Sequence, residues 1–286
     1  MIVIPPITLS ILSSSATEPV ASDGTAWVTG TSYTQGTVVY LASNHKTYYC
    51  IANGVSTQSP DLNIYAAIPM WIEYGYTNKY TLLDMFRNKG TTATTTYSVS
   101  CSSSNRFDTV AIYKATADTL VVSVSSSTVG TFYTYTATAL ASGTVLCENI
   151  PPYYNATITV TASGPNISIS GLTAGISEYI GYIQRNAVLD SNNYSKVDRD
   201  IYGNVTLTRR RNVPKITCTT MCEAELINRV AEVRDDINAK PVLWIGLEKQ
   251  TTSTYYQPLV LKGFYRSFKI ALEEMMATIS LELEEV

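Results

Sequence analysis

Alternation of apolar and polar side chains is the feature that most constrains this fold. Between residues 76 and 170 it recurs in Ser- and Thr-rich runs, at Thr95–Ser100, Leu120–Val124, Thr131–Ala137 and Ala156–Ala162. A period of two residues places one set of side chains on a buried face and the other on a solvated face, as in antiparallel strands. The spacing of the runs predicts a β-sandwich over residues 76–170.

The last part of the chain, residues 171–286, combines helical and strand patterns and carries most of the charge. Four apolar residues lie on one stripe at helical spacing, namely Leu226, Val230, Val233 and Ile237. We therefore expect a helix near residues 222–237, capped by Thr220. Apolar or alternating runs predict strands at Val242–Ile245, twice within Leu259–Leu272, and from Ile279 to the end. This pattern predicts an α+β domain, so the expected fold class is mainly β with a smaller α+β part.

The first residues, 1–24, are predicted to form an extended arm. Pro5, Pro6 and a run of serines block regular structure, while isoleucines without a core need a surface to pack on. We expect the arm to be ordered only against a partner. It lacks the basic start of a secretory signal, and no stretch is long enough to span a membrane. We expect a protein that is made in a cytoplasm and does not insert into a membrane.

Composition limits the partners that the chain can bind. Charged residues make up only 15% of the sequence and the formal net charge is −3, so there is no basic field for phosphates and we expect no nucleic-acid partner. Tyrosine is frequent, with 21 copies against 5 Phe. Tyrosine suits contact surfaces and sugar stacking, and β-sheets also favour it, so both interpretations stay open.

The cysteines do not suggest a disulfide framework or a metal site. Their number is odd and they are spread along the chain, at Cys50, Cys101, Cys147, Cys218 and Cys222. Cys218 and Cys222 lie four apart, but the chain has a single histidine and no second pair to complete a zinc site. We expect buried, reduced thiols, no metal and no cofactor.

Catalytic patterns are weak. A hydrolytic triad needs a histidine, and His45 lies in a predicted hairpin tip. Four carboxylates are candidates for a glycosidase pair, namely Asp84, Asp108, Asp198 and Asp200, and none has a recognisable catalytic setting. Gly-rich phosphate loops are absent from the sequence. We therefore expect no enzymatic activity.

Residues 25–75 are predicted to form a small aromatic-rich β module with strands at Thr37–Leu41 and Thr47–Ala52. The module resembles chitin- and cellulose-binding modules appended to bacterial chitinases, through Trp27, Tyr33, Gly36, Val38, Tyr40, Tyr48, Tyr49 and Trp71. Thr37 stands where those modules usually have Asp.

The resemblance implies exposed aromatic planes that stack on sugar rings while nearby amides bind hydroxyls. It makes Tyr48, Tyr49 and Trp71 the candidate glycan-binding residues. The alternative is that the aromatic residues only form the small core of the module, as expected for Trp27, Tyr33, Tyr40 and Trp71.

A second resemblance extends along most of residues 25–286 at low density. It rests on Trp71 to Asn78 with Asp84 and Phe86, on Pro151 to Tyr154 with the strand after it, and on later segments such as Gly263-Phe264-Tyr265. These segments are similar to tail-associated virion proteins of tailed bacteriophages. The resemblance implies a place in the virion tail and other tail proteins as partners, and it carries over no catalytic residue.

The expected function is that of a structural virion protein in the tail, baseplate or fibre attachment of a tailed phage. We expect several copies to assemble, with a host-surface glycan as a further partner. The alternative is a stand-alone carbohydrate-binding protein. A tail-associated glycan-degrading enzyme is the third hypothesis, disfavoured because the sequence has no β-helix repeat.

Overall fold

The computed structural model describes residues 1–86, 89–184, 187–246 and 256–286. The chain divides into two compact units, one of residues 1–6 and 174–286 and one of residues 7–173. Most elements are strands, and the main helix lies on the C-terminal side. The predicted fold class is therefore confirmed. In the described part of the chain, no helix is long and apolar enough to cross a membrane.

The N-terminal segment is part of both units. Strand β1 (Ile2–Ile4) lies in the sheet of the C-terminal unit, and β2 (Ser10–Ser14) pairs with a strand of the other unit. Val3 and Ile4 are fully buried, and β1 has a neighbouring strand on each edge. The expectation of an arm that needs a partner for order is corrected here, since strands of the same chain supply the surfaces that its isoleucines lack.

The aromatic module belongs to the unit of residues 7–173. Its strands and short helix are β3 (Thr25–Ala26), β4 (Thr31–Tyr33), β5 (Val38–Leu41), β6 (Lys46–Cys50), β7 (Gly54–Ser56), α1 (Pro60–Asn63) and β8 (Trp71–Tyr76). The main sheet has the order β3-β5-β6-β8, with β3 parallel to β5 and the other pairs antiparallel, and β4 pairs with β7. Proline at the first turn of α1 suits a helix start, where its missing N–H has no partner to lose.

The same unit contains the predicted β-sandwich. Its strands are β9 (Thr91–Ala93), β10 (Thr96–Ser103), β11 (Thr109–Ser126), β12 (Gly130–Cys147), β13 (Ala156–Ser163) and β14 (Ile167–Gly175). The sheet has the order β2-β10-β13-β11-β14-β9, and β12 pairs with β11.

The long β11–β12 hairpin of this sheet is irregular near its middle. Its register shifts around Ala115, and Lys114, Ala139 and Ser142 have positive φ angles, as bulged strands do. As a result the hydroxyl of Tyr133 lies beside the thiol of Cys147 at the other end of the same strand, and burial raises the pKa of both groups to about 12. A β-rich, sandwich-like fold is consistent with these strands, and the domain bounds 76–170 stay a prediction.

The C-terminal unit is built on one antiparallel sheet. Its later elements are β15 (Glu178–Tyr179), β16 (Tyr182–Ile183), β17 (Val188–Asn193), β18 (Lys196–Arg199), β19 (Val205–Thr208), β20 (Asn212–Glu223), α2 (Ile227–Asp236), β21 (Val242–Ile245), β22 (Val260–Leu272) and β23 (Met276–Glu285). The sheet has the order β15-β1-β21-β22-β23-β20-β16, and β17 pairs with β20.

Helix α2 packs on this sheet as expected, with three of its four stripe residues in the core: Val230, Val233 and Ile237. Its start differs from the prediction. Strand β20 continues to Glu223, and Thr220 is buried in that strand, where its hydroxyl donates to the carbonyl of Ile180 rather than capping a helix. The segment Leu259–Leu272 forms one long strand instead of two, because β23 pairs along most of its length.

Residues 188–212 form a hairpin arm with nearly every side chain exposed. Strand β18 pairs with β19 at its tip, and β17 pairs with β20 at its base. Ile201 is 91% exposed and Leu207 is 71% exposed. These apolar side chains therefore contribute little to the core of the C-terminal unit.

Candidate functional site

The inner face of the module sheet is a small aromatic core. Trp71 is 0% exposed, and Tyr33 meets its ring edge-on, with ring centroids 5.1 Å apart. The indole N–H groups of Trp27 and Trp71 both donate to the hydroxyl oxygen of Ser56, each at 3.0 Å. Ser56 in turn donates to the carbonyl of Gln58. The polar atoms of the two indoles are thus satisfied inside the module, as buried tryptophans require.

Two of the three residues predicted to bind glycan belong to this core. Tyr48 is 1% exposed, and its hydroxyl accepts a hydrogen bond of 2.8 Å from the side-chain amide of Asn44. Burial raises the pKa of Tyr48. Rings that are covered on both faces cannot stack on a sugar, so the assignment of Tyr48 and Trp71 to a glycan-binding face is corrected. The core alternative describes Trp71, and Tyr48 is a further core residue that it did not include.

Tyr49, the third predicted residue, lies on the opposite face of the sheet. Its ring is 6.0 Å from the ring of Tyr74, with an angle of 33° between the planes. Ile72 pairs with Tyr49 across the strands, and Ile72 and Tyr74 are 45% and 46% exposed. We call Tyr49, Ile72 and Tyr74 the tyrosine surface.

A pocket of about 210 Å³ adjoins the tyrosine surface. Its lining consists of Tyr74, Gly75, Tyr76, Thr81, Asp84 and Lys89. Nearby, Lys46 forms an ion pair of 2.8 Å with Glu73, and its ammonium group lies 5.5 Å from the centre of the Tyr76 ring. Aromatic planes beside charged and hydroxyl groups are the combination that holds sugars, whose C–H faces stack while their hydroxyls form hydrogen bonds.

The sequence contained the signal that locates Ile72 and Tyr74, although the prediction missed both. In β8 the residues alternate from Trp71 onward, so once Trp71 is placed in the core, Ile72 and Tyr74 fall on the outer face. The register between β6 and β8 shifts between Thr47 and Tyr48 of β6. This irregularity keeps Tyr48 inside while Tyr49 faces outward.

Thr77 and Asn78, which carry part of the resemblance to phage proteins, are buried and have structural contacts. The side chain of Asn78 donates to the carbonyls of Thr17 and Thr92 and accepts from the backbone N–H of Thr92. Asp23 is 0% exposed and accepts from the N–H of Asn78 and from the ammonium group of Lys89, at 3.1 and 2.8 Å. We call Asp23, Asn78, Lys89 and Thr92 the polar junction, because it ties the module to the first strand of the sandwich.

His45 also has a structural setting. Its ring stacks on Tyr80 at a centroid distance of 4.2 Å, and its Nδ1 lies 2.8 Å from a carboxylate oxygen of Glu18. The same carboxylate accepts a hydrogen bond from the hydroxyl of Thr77. His45 therefore joins the N-terminal segment to the end of β8.

Each of the four candidate catalytic carboxylates has its own local contacts. Asp84 is buried and accepts from the N–H of Phe86, Asp108 accepts from the hydroxyl of Thr109, and Asp198 pairs with Lys196. The side chain and backbone of Asn204 hydrogen-bond to Asp200 and lower the pKa of that carboxyl group. These are turn and strand contacts rather than an assembled acid–base pair.

All five cysteines are buried and none is paired in a disulfide, as expected. Among residues 1–86, 89–184, 187–246 and 256–286, no group of three or more His, Cys, Asp or Glu side chains is placed to hold a metal ion. Burial raises the pKa of Cys101 to about 12 and that of Cys218 to about 11, which suppresses thiolate chemistry.

No protein-family model matches the chain, and no curated protein matches it in sequence.

Proposed function

We propose that this chain is a structural subunit of a tailed bacteriophage, in its tail, baseplate or fibre attachment. The observation that supports an assembly role is the hairpin arm of residues 188–212. At the tip of the arm, Val197, Val205 and Leu207 lie on the same face of the β18–β19 hairpin and are all exposed. A two-stranded hairpin of this kind is only marginally stable on its own. Exposed apolar surface of this kind marks contact sites between proteins. The sequence resemblance supplies the phage tail as the assembly.

Electrostatics are compatible with dense packing of identical subunits. The chain has a formal net charge of −3, and its surface is rich in Ser, Thr and Tyr. A small net charge and few charged side chains keep the repulsion between copies low. The contacts of His45 with Tyr80 and Glu18, and the burial of Asp84, also favour a structural over a catalytic role.

Sedimentation of particles tests this proposal. Virions from a bacterium that produces the chain are purified on a density gradient, and an antibody against the chain is used to label them for electron microscopy. We expect the chain to co-sediment with intact particles and the label to lie on the tail. Recovery of the chain only from the fraction without particles would contradict the proposal.

Glycan binding is a second candidate function, favoured by the tyrosine surface and its adjoining pocket. We propose that Tyr49 and Tyr74 stack on a sugar of the host surface. Glycan binding alone would let the module attach a phage tail to the host surface, or act as a stand-alone carbohydrate-binding protein.

A glycan array separates this function from a purely structural one. Tyr49→Ala and Tyr74→Ala should each reduce binding by about tenfold or more, since stacking contacts contribute on the order of 1 kcal/mol each and the two rings act together. Tyr65→Ala is the matched control, because Tyr65 is 83% exposed in the same module but lies outside the pair. Wild-type protein that binds no glycan on a broad array would remove this function and leave the assembly role.

A further inference from the structure

Strand β12 has one free edge. It pairs with β11 along its length, and no other described strand pairs with it. It runs for 18 residues, from Gly130 to Cys147, and most of its side chains are at least partly exposed. A free edge presents a row of backbone N–H and C=O groups that another strand can pair with.

The sequence of β12 lacks the devices that usually protect such an edge. Between Gly130 and Cys147 there is no Asp, Glu, Lys, Arg or Pro. Natural edge strands are commonly guarded by charged side chains or proline, or kept short. The register shifts at Phe132 and again near Ala139 and Ser142, so the regular, unguarded stretch of this edge is Tyr133–Thr138.

The core-facing side of β12 is also partly exposed to solvent. Tyr133, Tyr135 and Ala137 pair with the fully buried Val124, Val122 and Leu120 of β11, so these three residues of β12 share the core-facing side of the sheet. Yet Tyr135 is 41% exposed. A further strand beside β12 would cover its ring as well as satisfying the backbone.

We propose that β12 pairs antiparallel with β12 of a second copy of this chain, so that the two sheets become continuous across a two-fold axis. The inference rests on β12 alone and holds whether or not the chain belongs to a virion.

The occupant is a second copy because the strand is complementary to itself. Directly opposed residues of antiparallel strands point to the same side, and a two-fold axis perpendicular to the sheet passes midway between one residue and the same residue of the second copy. An axis at Tyr135 sets Tyr133 opposite the partner's Ala137 and Thr134 opposite the partner's Thr136. The two Tyr135 side chains then meet at the axis, Tyr133 faces a small alanine, threonines form cross-strand pairs, and the absence of charge removes repulsion between the copies.

Sedimentation of the full-length chain tests the pairing. The monomer mass is 31.3 kDa, and we expect the wild-type protein to sediment at twice this mass at micromolar concentration. The double variant Thr134→Lys/Thr136→Lys places like charges opposite each other across the axis. It should weaken the dimer by at least about tenfold. The matched control Thr161→Lys/Ser163→Lys adds the same charge to exposed positions of the interior strand β13 and should remain dimeric.

A cross-link tests the register independently of stability. Tyr135→Cys should form a disulfide-linked dimer under mild oxidation, because the two introduced thiols meet at the axis while the five native cysteines are buried. Tyr154→Cys, at an exposed site outside β12, should not. A monomeric wild type, a Thr134→Lys/Thr136→Lys variant as dimeric as the wild type, or equal cross-linking of both cysteine variants would overturn the proposal.

Discussion

The aromatic module and the hairpin arm use large apolar side chains in opposite ways. In the module, Trp71 and Tyr48 are buried and hydrogen-bonded, although a sugar-binding resemblance led us to expect them on the surface. In the hairpin arm, Leu207 on β19 and Ile201 in the turn between β18 and β19 are both exposed. The contrast shows that residue type alone does not distinguish a residue that holds the fold from one that makes a contact.

The largest expected effect comes from truncating the module core. Trp71→Ala should lower the free energy of unfolding by about 3–5 kcal/mol, because it opens a large cavity and leaves Ser56 without one of its donors. Cys50 pairs with Trp71 across the strands and is buried beside it. Labelling of Cys50 by a thiol reagent should therefore become fast in this variant while Cys218 stays protected. Equal protection of both thiols would show that Trp71 does not hold the module.

A smaller effect is expected at the polar junction. Asp23→Ala should cost about 2 kcal/mol, since it leaves the N–H of Asn78 and the ammonium group of Lys89 without their shared acceptor. Glu232→Ala, which removes an exposed carboxylate from helix α2, is the control and should change stability by less than about 0.5 kcal/mol. Urea unfolding measures both. If both variants changed the free energy of unfolding by similarly small amounts, the polar junction would not contribute to stability.

The smallest effect on stability is expected in the hairpin arm. Ile201→Ser/Leu207→Ser should leave the free energy of unfolding within about 0.5 kcal/mol of the wild type, because neither side chain is buried. Ile279→Ser makes the same kind of change at a fully buried position of β23 and should be strongly destabilising. A large loss in the hairpin variant would show that the arm packs within its own unit.

Much of the fold could be predicted because alternation and burial follow simple periods. The strands from Val242 to Ile245 and from Ala156 to Ser163 lie close to the predicted ranges, and the stripe of α2 is in the core. The pairing of β1 and β2 with distant strands could not be predicted, since short apolar runs do not specify their neighbours.

The candidate site was predicted only in part, for a related reason. The two-residue alternation of a strand predicts that Tyr48 and Tyr49 point to opposite sides of the sheet, but it does not show which side faces the core. That choice depends on Tyr33 and Trp27, which pack with Trp71 from other parts of the module. The same information places Tyr74 outside once Trp71 is inside.

Electron cryomicroscopy of an intact phage tail is the most direct measurement of the proposed assembly role. The map should contain the chain in several copies, with residues 188–212 buried against neighbouring subunits and the core of the module unchanged. A tail that lacks the chain, or one in which Ile201 and Leu207 remain exposed to solvent, would contradict the proposal that the hairpin arm is an assembly contact.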